Sequence, residues 1–206
     1  MKGVVVCLFT IFSLITYSQK QLTTEEVKAF KSKIEQGTKQ MKSMKTDFNQ
    51  NKHLSFMSND VISKGKMFLN EEGFLKWEYT SPSKYSIIFK NNMVYIDDNG
   101  KKNSVNANNE VFKRINKLIS GSVNGQLFND KEFVISYFKE GNQTLAKFLP
   151  SDKGLKKYIQ EVFLYFPNNE TTVSKVKLIE PSGDYTEITF VNKEINAKID
   201  PKIFTN

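Results

Sequence analysis

The residues that could carry out catalysis are few in this chain and lie far apart. The 206 residues include one histidine, His53, and one cysteine, Cys7. A Ser–His–Asp triad or a soft-ligand metal site needs several such side chains at one point. His53 lies near a polar loop, so we interpret it as an ordinary surface histidine. We therefore predict no metal site and no histidine-based catalytic centre.

The paired carboxylates do not indicate acid–base chemistry either. Glu71 and Glu72, like Asp97 and Asp98, fall in segments with the composition of turns, which explains acidic side chains there. The chain contains no G-x-S-x-G elbow, phosphate-binding loop or dinucleotide fingerprint. We expect a protein that is not an enzyme and needs no cofactor.

The N-terminus has the pattern of a secretory signal peptide. Lys2 gives a positive start, residues 4–15 are almost wholly apolar, and Thr16 and Ser18 are small residues suited to a cleavage site. The apolar run is shorter than the roughly 20 residues of a membrane span. We predict cleavage near Ser18, export to the periplasm, and one domain over residues 19–206. That mature domain would contain no cysteine and rest on its core alone.

Positive charge dominates the chain but is not arranged for nucleic acid. The formal net charge is +8, and Arg114 is the one arginine among 30 basic residues. Proteins that read nucleic acid rely on arginine for bidentate contacts. We interpret the scattered lysines as a solvated surface, with weak attraction to anionic membranes as the alternative, and expect no nucleic-acid partner.

The remaining pattern predicts a helix followed by a large antiparallel sheet. Thr23 and Glu26 fit a capping box, and apolar residues then recur at helical spacing as far as Met41 and Met44, with Gly37 as an interruption. The chain becomes strand-like from about Thr46, and turn signals then separate short β-branched and aromatic runs. These runs are residues 62–69, 74–79, 85–90, 93–97, 133–138, 144–149, 162–166, 173–180 and 186–191.

Two helical segments interrupt the strands. Residues 109–119 place apolar side chains on one face and basic ones on the other, and a short helical turn is predicted within residues 152–159. The predicted fold is mainly β, an open or closed antiparallel barrel whose one face is covered by helices.

One face of the predicted sheet is rich in aromatic and aliphatic side chains. Leu75, Trp77 and Tyr79 alternate with charged residues, and a hairpin through residues 71–73 is expected to add Phe68 to their face. These side chains either form an ordinary core or line a concave ligand site that the helices fill only in part. The candidate cavity residues are Phe68, Leu75, Trp77, Tyr79, Ile87, Phe89, Val94 and Ile96.

An ordered set of short segments resembles the LolA family of periplasmic outer-membrane lipoprotein carriers. The segments are FNQ at 48–50, GKMFL at 65–69, LKWEYTSP at 75–82, YSIIF at 85–89, VYI at 94–96 and EPSGDYT at 180–186. The likeness covers nearly the whole predicted mature chain, including the order of helix, sheet, mid-chain helix and sheet. It implies an unclosed antiparallel β-barrel with helices packed on the concave side as a lid.

The resemblance also implies a function. Members of the family accept acylated lipoproteins from an inner-membrane lipoprotein-releasing transporter and deliver them to an outer-membrane acceptor, without cofactor or catalysis. We therefore expect a monomeric carrier whose lid includes Ile115, Leu118 and Ile119. The client is expected to be an acylated lipoprotein or another acyl lipid.

The sequence departs from the family at the lid latch. Relatives carry a basic residue before the tryptophan strand and an aromatic two residues before the tryptophan, where this chain has Glu71 and Leu75. The runner-up hypothesis is an envelope lipid sensor or interaction domain of the same fold that binds a regulatory protein. An enzyme acting on a lipid or glycan is the third alternative, with no residue to nominate.

Overall fold

The computed structural model describes residues 19–106 and 132–205, and most of these residues form strands. The strands are β1 (Lys20–Gln21), β2 (Ser43–His53), β3 (Val61–Asn70), β4 (Leu75–Ser81), β5 (Tyr85–Lys90), β6 (Met93–Asp98), β7 (Lys101–Asn106), β8 (Phe133–Glu140), β9 (Gln143–Pro150), β10 (Glu161–Pro167), β11 (Lys175–Ile179) and β12 (Tyr185–Ile195). Helix α1 spans Thr24–Lys39, and two 3-10 helices span Leu155–Lys157 and Pro201–Phe204.

All twelve strands belong to one antiparallel sheet that does not close on itself. Its order is β1-β8-β9-β10-β11-β12-β2-β3-β4-β5-β6-β7, so β1 and β7 form the two edges within the described residues. Val94 of β6 and Phe133 of β8 nevertheless belong to the same apolar cluster. Because nine positions in the strand order separate these strands, the sheet must curl around a shared core. The predicted open barrel is confirmed.

Helix α1 packs on the concave face, over the half of the sheet formed by β8 to β10. Phe30 contacts Tyr137 and Phe166 with ring centroids 5.7 and 5.3 Å apart, and Ile34 is fully buried. The helix runs unbroken through Gly37, where an added Cβ would lie 2.4 Å from Thr171. Gly37 therefore permits close packing and does not interrupt the helix.

The N-terminal cap of α1 follows the sequence prediction. Thr23 Oγ1 accepts a hydrogen bond from the Glu26 amide, and the Glu26 carboxylate accepts one from the Thr23 amide. Threonine-to-alanine changes at such caps cost about 1 kcal/mol. We expect Thr23→Ala to lower the free energy of unfolding by about that amount in urea titrations, with Thr24→Ala as the matched control. Equal effects of both changes would contradict the cap's contribution.

The opposite face of the sheet has a smaller apolar cluster, and this cluster corrects one prediction. It contains Phe68, Ile88 and Phe204, the last from the C-terminal 3-10 helix. Phe68 pairs with Lys76, whereas Met67 pairs with Trp77. The prediction that Phe68 shares the Trp77 face is therefore wrong. The five residues between Leu69 and Leu75 set the register of the β3–β4 hairpin. This register places Met67 opposite Trp77 and turns Phe68 to the other face.

The other strand predictions agree with the structure to within a few residues, and the short helical turn appears at Leu155–Lys157. Met41 follows Gln40, the C-cap of α1, and Met44 lies in β2, so the helical spacing assigned to both residues was wrong. The strands β1 and β7 were not predicted. The predicted signal peptide and the predicted helix at 109–119 lie outside the described residues. Among the helices of the described segments, none is long and apolar enough to cross a membrane.

Candidate functional site

Seven of the eight candidate cavity residues lie together on the concave face. Strand register arranges most of them in two rows that run across neighbouring strands. One row is Leu69, Leu75, Phe89 and Val94, and the next is Met67, Trp77, Ile87 and Ile96. Tyr79 follows in the third row, opposite Tyr85. We call these three rows the apolar wall.

Burial decreases along the apolar wall from one end of the sheet towards the other. Leu75 and Val94 are fully buried, and Trp77 retains 5% exposure. Ile87, Ile96 and Tyr79 are only half-buried, although they pack against the same core. The wall therefore has a closed base at the row of Leu75 and accessible apolar surface towards Tyr79.

Sequence reasoning missed two aromatic residues that fix the indole of Trp77. Phe48 of β2 lies against Trp77 with ring centroids 4.4 Å apart, and Phe190 of β12 makes an edge contact at 6.0 Å. Phe48 also packs over Gly65, where an added Cβ would lie 2.5 Å from the phenyl ring. The FNQ segment was the available signal for Phe48, and its role becomes visible only through the pairing of β2 with β3.

Polar groups lie at the accessible end of the wall. The Tyr79 hydroxyl donates a hydrogen bond of 3.0 Å to Gln50 Oε1, and burial raises the pKa of Tyr79 above its ordinary value. A cavity of about 360 Å³ adjoins this point, and its lining includes Tyr79, Tyr85 and Lys84 as well as the acidic Glu78 and Asp97. An apolar chain on the wall would thus meet hydroxyl, ammonium and carboxylate groups where the wall ends.

Two of the titratable residues considered for catalysis, His53 and Asp97, have structural roles. His53 Nδ1 lies 2.8 Å from Asp60 Oδ1, and its ring stacks on Tyr185. Asp97 accepts a 2.7 Å hydrogen bond from the Gly100 amide within the β6–β7 turn. Residues 19–106 and 132–205 contain no group of three or more potential metal ligands.

Asp60 anchors the loop between β2 and β3 and gives a test at low pH. Hydrogen bonds from His53 and then Asn51 hold the pKa of Asp60 below its ordinary value. A lowered carboxyl pKa contributes stability that is complete above the unfolded value and is lost as pH falls through the folded value. We expect the Asp60 carboxyl carbon to titrate at a lower pH than that of an unperturbed aspartate in NMR spectra. In His53→Ala its midpoint should rise, and an unchanged midpoint would refute this assignment.

Comparison with protein families agrees with this architecture. Residues 39–206 match the family described as outer membrane lipoprotein carrier protein LolA. This chain belongs to the LolA family. The match begins at the last residue of α1 and includes every strand of the apolar wall. No curated protein sequence matches the chain significantly.

Solved structures share the LolA-like fold at low sequence identity. A conserved protein from Thermus thermophilus is 5% identical with a TM-score of 0.53, and the match covers 86% of this chain and 91% of that one. MucB is 10% identical with a TM-score of 0.50, covering 89% of this chain and 63% of its own. A complex of MucA and MucB from Pseudomonas aeruginosa is 10% identical with a TM-score of 0.49, and the match covers 86% of this chain and 60% of that one. The first two likenesses show a shared fold and nothing further.

The two residues that depart from the LolA pattern lie in different surroundings. Glu71 is exposed in the turn between β3 and β4, while Leu75 is fully buried at the base of the apolar wall. The lid candidates Ile115, Leu118 and Ile119 lie outside the described residues.

Proposed function

We propose that this protein carries the acyl chains of a lipoprotein, or of a similar lipid, through the periplasm from the inner to the outer membrane. The observation that supports this most is the apolar wall, whose half-buried end leaves aliphatic and aromatic surface available. In the proposal, Leu75, Trp77, Tyr79, Ile87, Phe89, Val94 and Ile96 contact the acyl chain. Phe68 is excluded because it lies on the opposite face.

The energetic problem explains why such a wall is needed. A sixteen-carbon chain exposed to water costs on the order of 12 kcal/mol, at about 0.8 kcal/mol per methylene. Apolar contacts on the wall would offset much of this cost during passage through water. Release at the acceptor requires moderate affinity, and a lid formed by Ile115, Leu118 and Ile119 would compete with the ligand for the same wall.

The remaining parts of the proposal follow from membership of the family and from the sequence. We propose export with cleavage near Ser18, a monomeric carrier without cofactor or catalytic activity, and no nucleic-acid partner. The proposed partners are an inner-membrane lipoprotein-releasing transporter and an outer-membrane acceptor.

The single tryptophan of the chain provides the direct test. Trp77 lies in the apolar wall, so a fatty acid with a doxyl quencher on its chain should reduce tryptophan fluorescence in a saturable way. A water-soluble doxyl compound should reduce it far less. Native mass spectrometry of protein recovered from the periplasm should show co-purifying acylated species. An empty protein without saturable quenching would overturn the proposal and favour a sensor or interaction domain that binds a regulatory protein.

A further inference from the structure

Exposed apolar side chains are concentrated at one end of the sheet. Eight large apolar residues are exposed in the described segments, and six of them lie where β2, β4, β6, β9 and β11 end. We call these six the apolar rim: Phe56, Met57, Ile62, Val134, Leu149 and Tyr158. The wall also opens towards this end of the sheet, because Tyr79 and Tyr85 lie there.

The most exposed rim residue is held outwards by an organised loop. Phe56 is 79% exposed, yet the loop that carries it is fixed at several points. The Met57 amide donates to the Leu54 carbonyl at 2.8 Å, and the Ser55 amide donates to Asp184 Oδ1 at 2.7 Å. The hydrogen bond from Ser55 is the main cause of the lowered pKa of Asp184. The exposure of Phe56 is therefore built into the fold.

Three connections at this end form one continuous surface. The hydrogen bond between Ser55 and Asp184 joins the β2–β3 loop to the β11–β12 turn. Tyr158, in the β9–β10 connection, lines a cavity of about 400 Å³ together with Pro181 of that turn. The backbone amide of Gln160 donates a 2.8 Å hydrogen bond to the Ile179 carbonyl, which also joins this connection to β11.

Charges of both signs lie beside the rim, and the connection that carries Tyr158 has an excess of lysine. Lys153, Lys156 and Lys157 are exposed in the same connection as Tyr158 and form no ion pair with any residue in 19–106 or 132–205. The neighbouring carboxylates of Asp60, Asp152 and Asp184 each accept hydrogen bonds from the protein, and Glu180 lies 3.9 Å from the Lys52 ammonium. An exposed tyrosine next to lysines, with an exposed phenylalanine at the same end of the sheet, matches the composition that binds at the headgroup level of a bilayer.

We infer that the apolar rim docks this protein on an anionic phospholipid surface. Phe56 and Tyr158 enter the headgroup region, while the three lysines meet anionic headgroups. The end of the apolar wall marked by Tyr79 then faces the bilayer. This surface binding rests on the rim alone and does not require the proposed carrier function.

Co-sedimentation with vesicles tests the inference. The processed protein, with its N-terminus defined by intact mass, is mixed with vesicles of phosphatidylethanolamine and phosphatidylglycerol or of phosphatidylcholine alone. We expect stronger binding to the anionic vesicles, weakened by salt. The triple variant with Lys153→Gln, Lys156→Gln and Lys157→Gln should bind the anionic vesicles more weakly, by about fivefold for each lysine replaced. Phe56→Ser with Tyr158→Ser should reduce it about tenfold.

The control is Ile195→Ser, since Ile195 is 44% exposed at the opposite end of the sheet and should have no effect. Parent-like binding by the Phe56 and Tyr158 double variant, or an equal loss in Ile195→Ser, would overturn the inference. No binding of the parent to either vesicle would also overturn it and would favour a protein as the partner of this end. Quenching of Trp77 by the doxyl fatty acid should persist in the rim variants, which separates this inference from the carrier proposal.

Discussion

Gly65→Val should destabilise the protein by about 3 kcal/mol or more, the upper range for overpacking a core. An added Cβ at Gly65 would lie 2.1 Å from the Glu78 carbonyl oxygen and 2.5 Å from the Phe48 ring. The first contact is with backbone, so a side-chain rotation cannot relieve it. The second would push Phe48 off Trp77 and disturb the apolar wall.

Urea unfolding followed by Trp77 fluorescence measures this effect. The matched control is Lys66→Val, which introduces the same side chain at the next position of β3, where the residue is exposed. We expect the control to shift the midpoint little. Adding Phe48→Leu to Gly65→Val should restore only part of the loss, because the clash with Glu78 remains. A Gly65→Val protein as stable as the parent would mean that β3 and β4 are not paired as described.

Ile96→Glu should weaken acyl binding about a hundredfold if the apolar wall is the ligand site. Ile96 is half-buried, so in the empty protein the carboxylate can remain hydrated and the fold should persist. A bound acyl chain would cover the carboxylate without offering it a hydrogen bond. Burying an unsatisfied polar group costs roughly 1–3 kcal/mol, and a charge costs more.

Quenching of Trp77 by a doxyl fatty acid gives the affinities for this comparison. Ile62→Glu is the matched control, because Ile62 is 56% exposed and pairs with Asn51 on the outer face of the sheet. We expect it to bind the fatty acid as the parent does. Circular dichroism should show that both variants fold. Equal affinities for Ile96→Glu and the parent would remove this part of the wall from the proposed site.

Local patterns predicted the parts of this fold that depend on near neighbours. The capping box of Thr23 and Glu26 needs only residues three apart, and the hairpin strands follow from turns and alternation. The placement of Phe68 failed because the face of a strand depends on the length and geometry of its connecting loop. Met44 shows a related limit of local patterns. A single apolar residue that fits helical spacing can fit the alternation of a strand equally well.

From the sequence alone, only the site residues on consecutive, hairpin-connected strands could be predicted. Trp77, Ile87 and Ile96 lie on consecutive strands, so alternation places them on one face without any knowledge of distant pairing. Phe190 reaches Trp77 from a strand more than a hundred positions later in the chain. Contacts of that kind depend on the order of strands in the sheet, which no local pattern of a single sequence contains.

The unclosed sheet also has a consequence for self-association. Open edges expose backbone donors and acceptors that a strand from another molecule could pair with, and folded proteins counter this with short or charged edge strands. In the described part of the chain, the edge strand β1 has two residues, and every residue of β7 is exposed, beginning with Lys101 and Lys102. The short β1 therefore offers few backbone groups for pairing with another molecule, and the lysines of β7 would repel the same edge of a second copy. Both features disfavour the edge-to-edge association that an open barrel would otherwise permit.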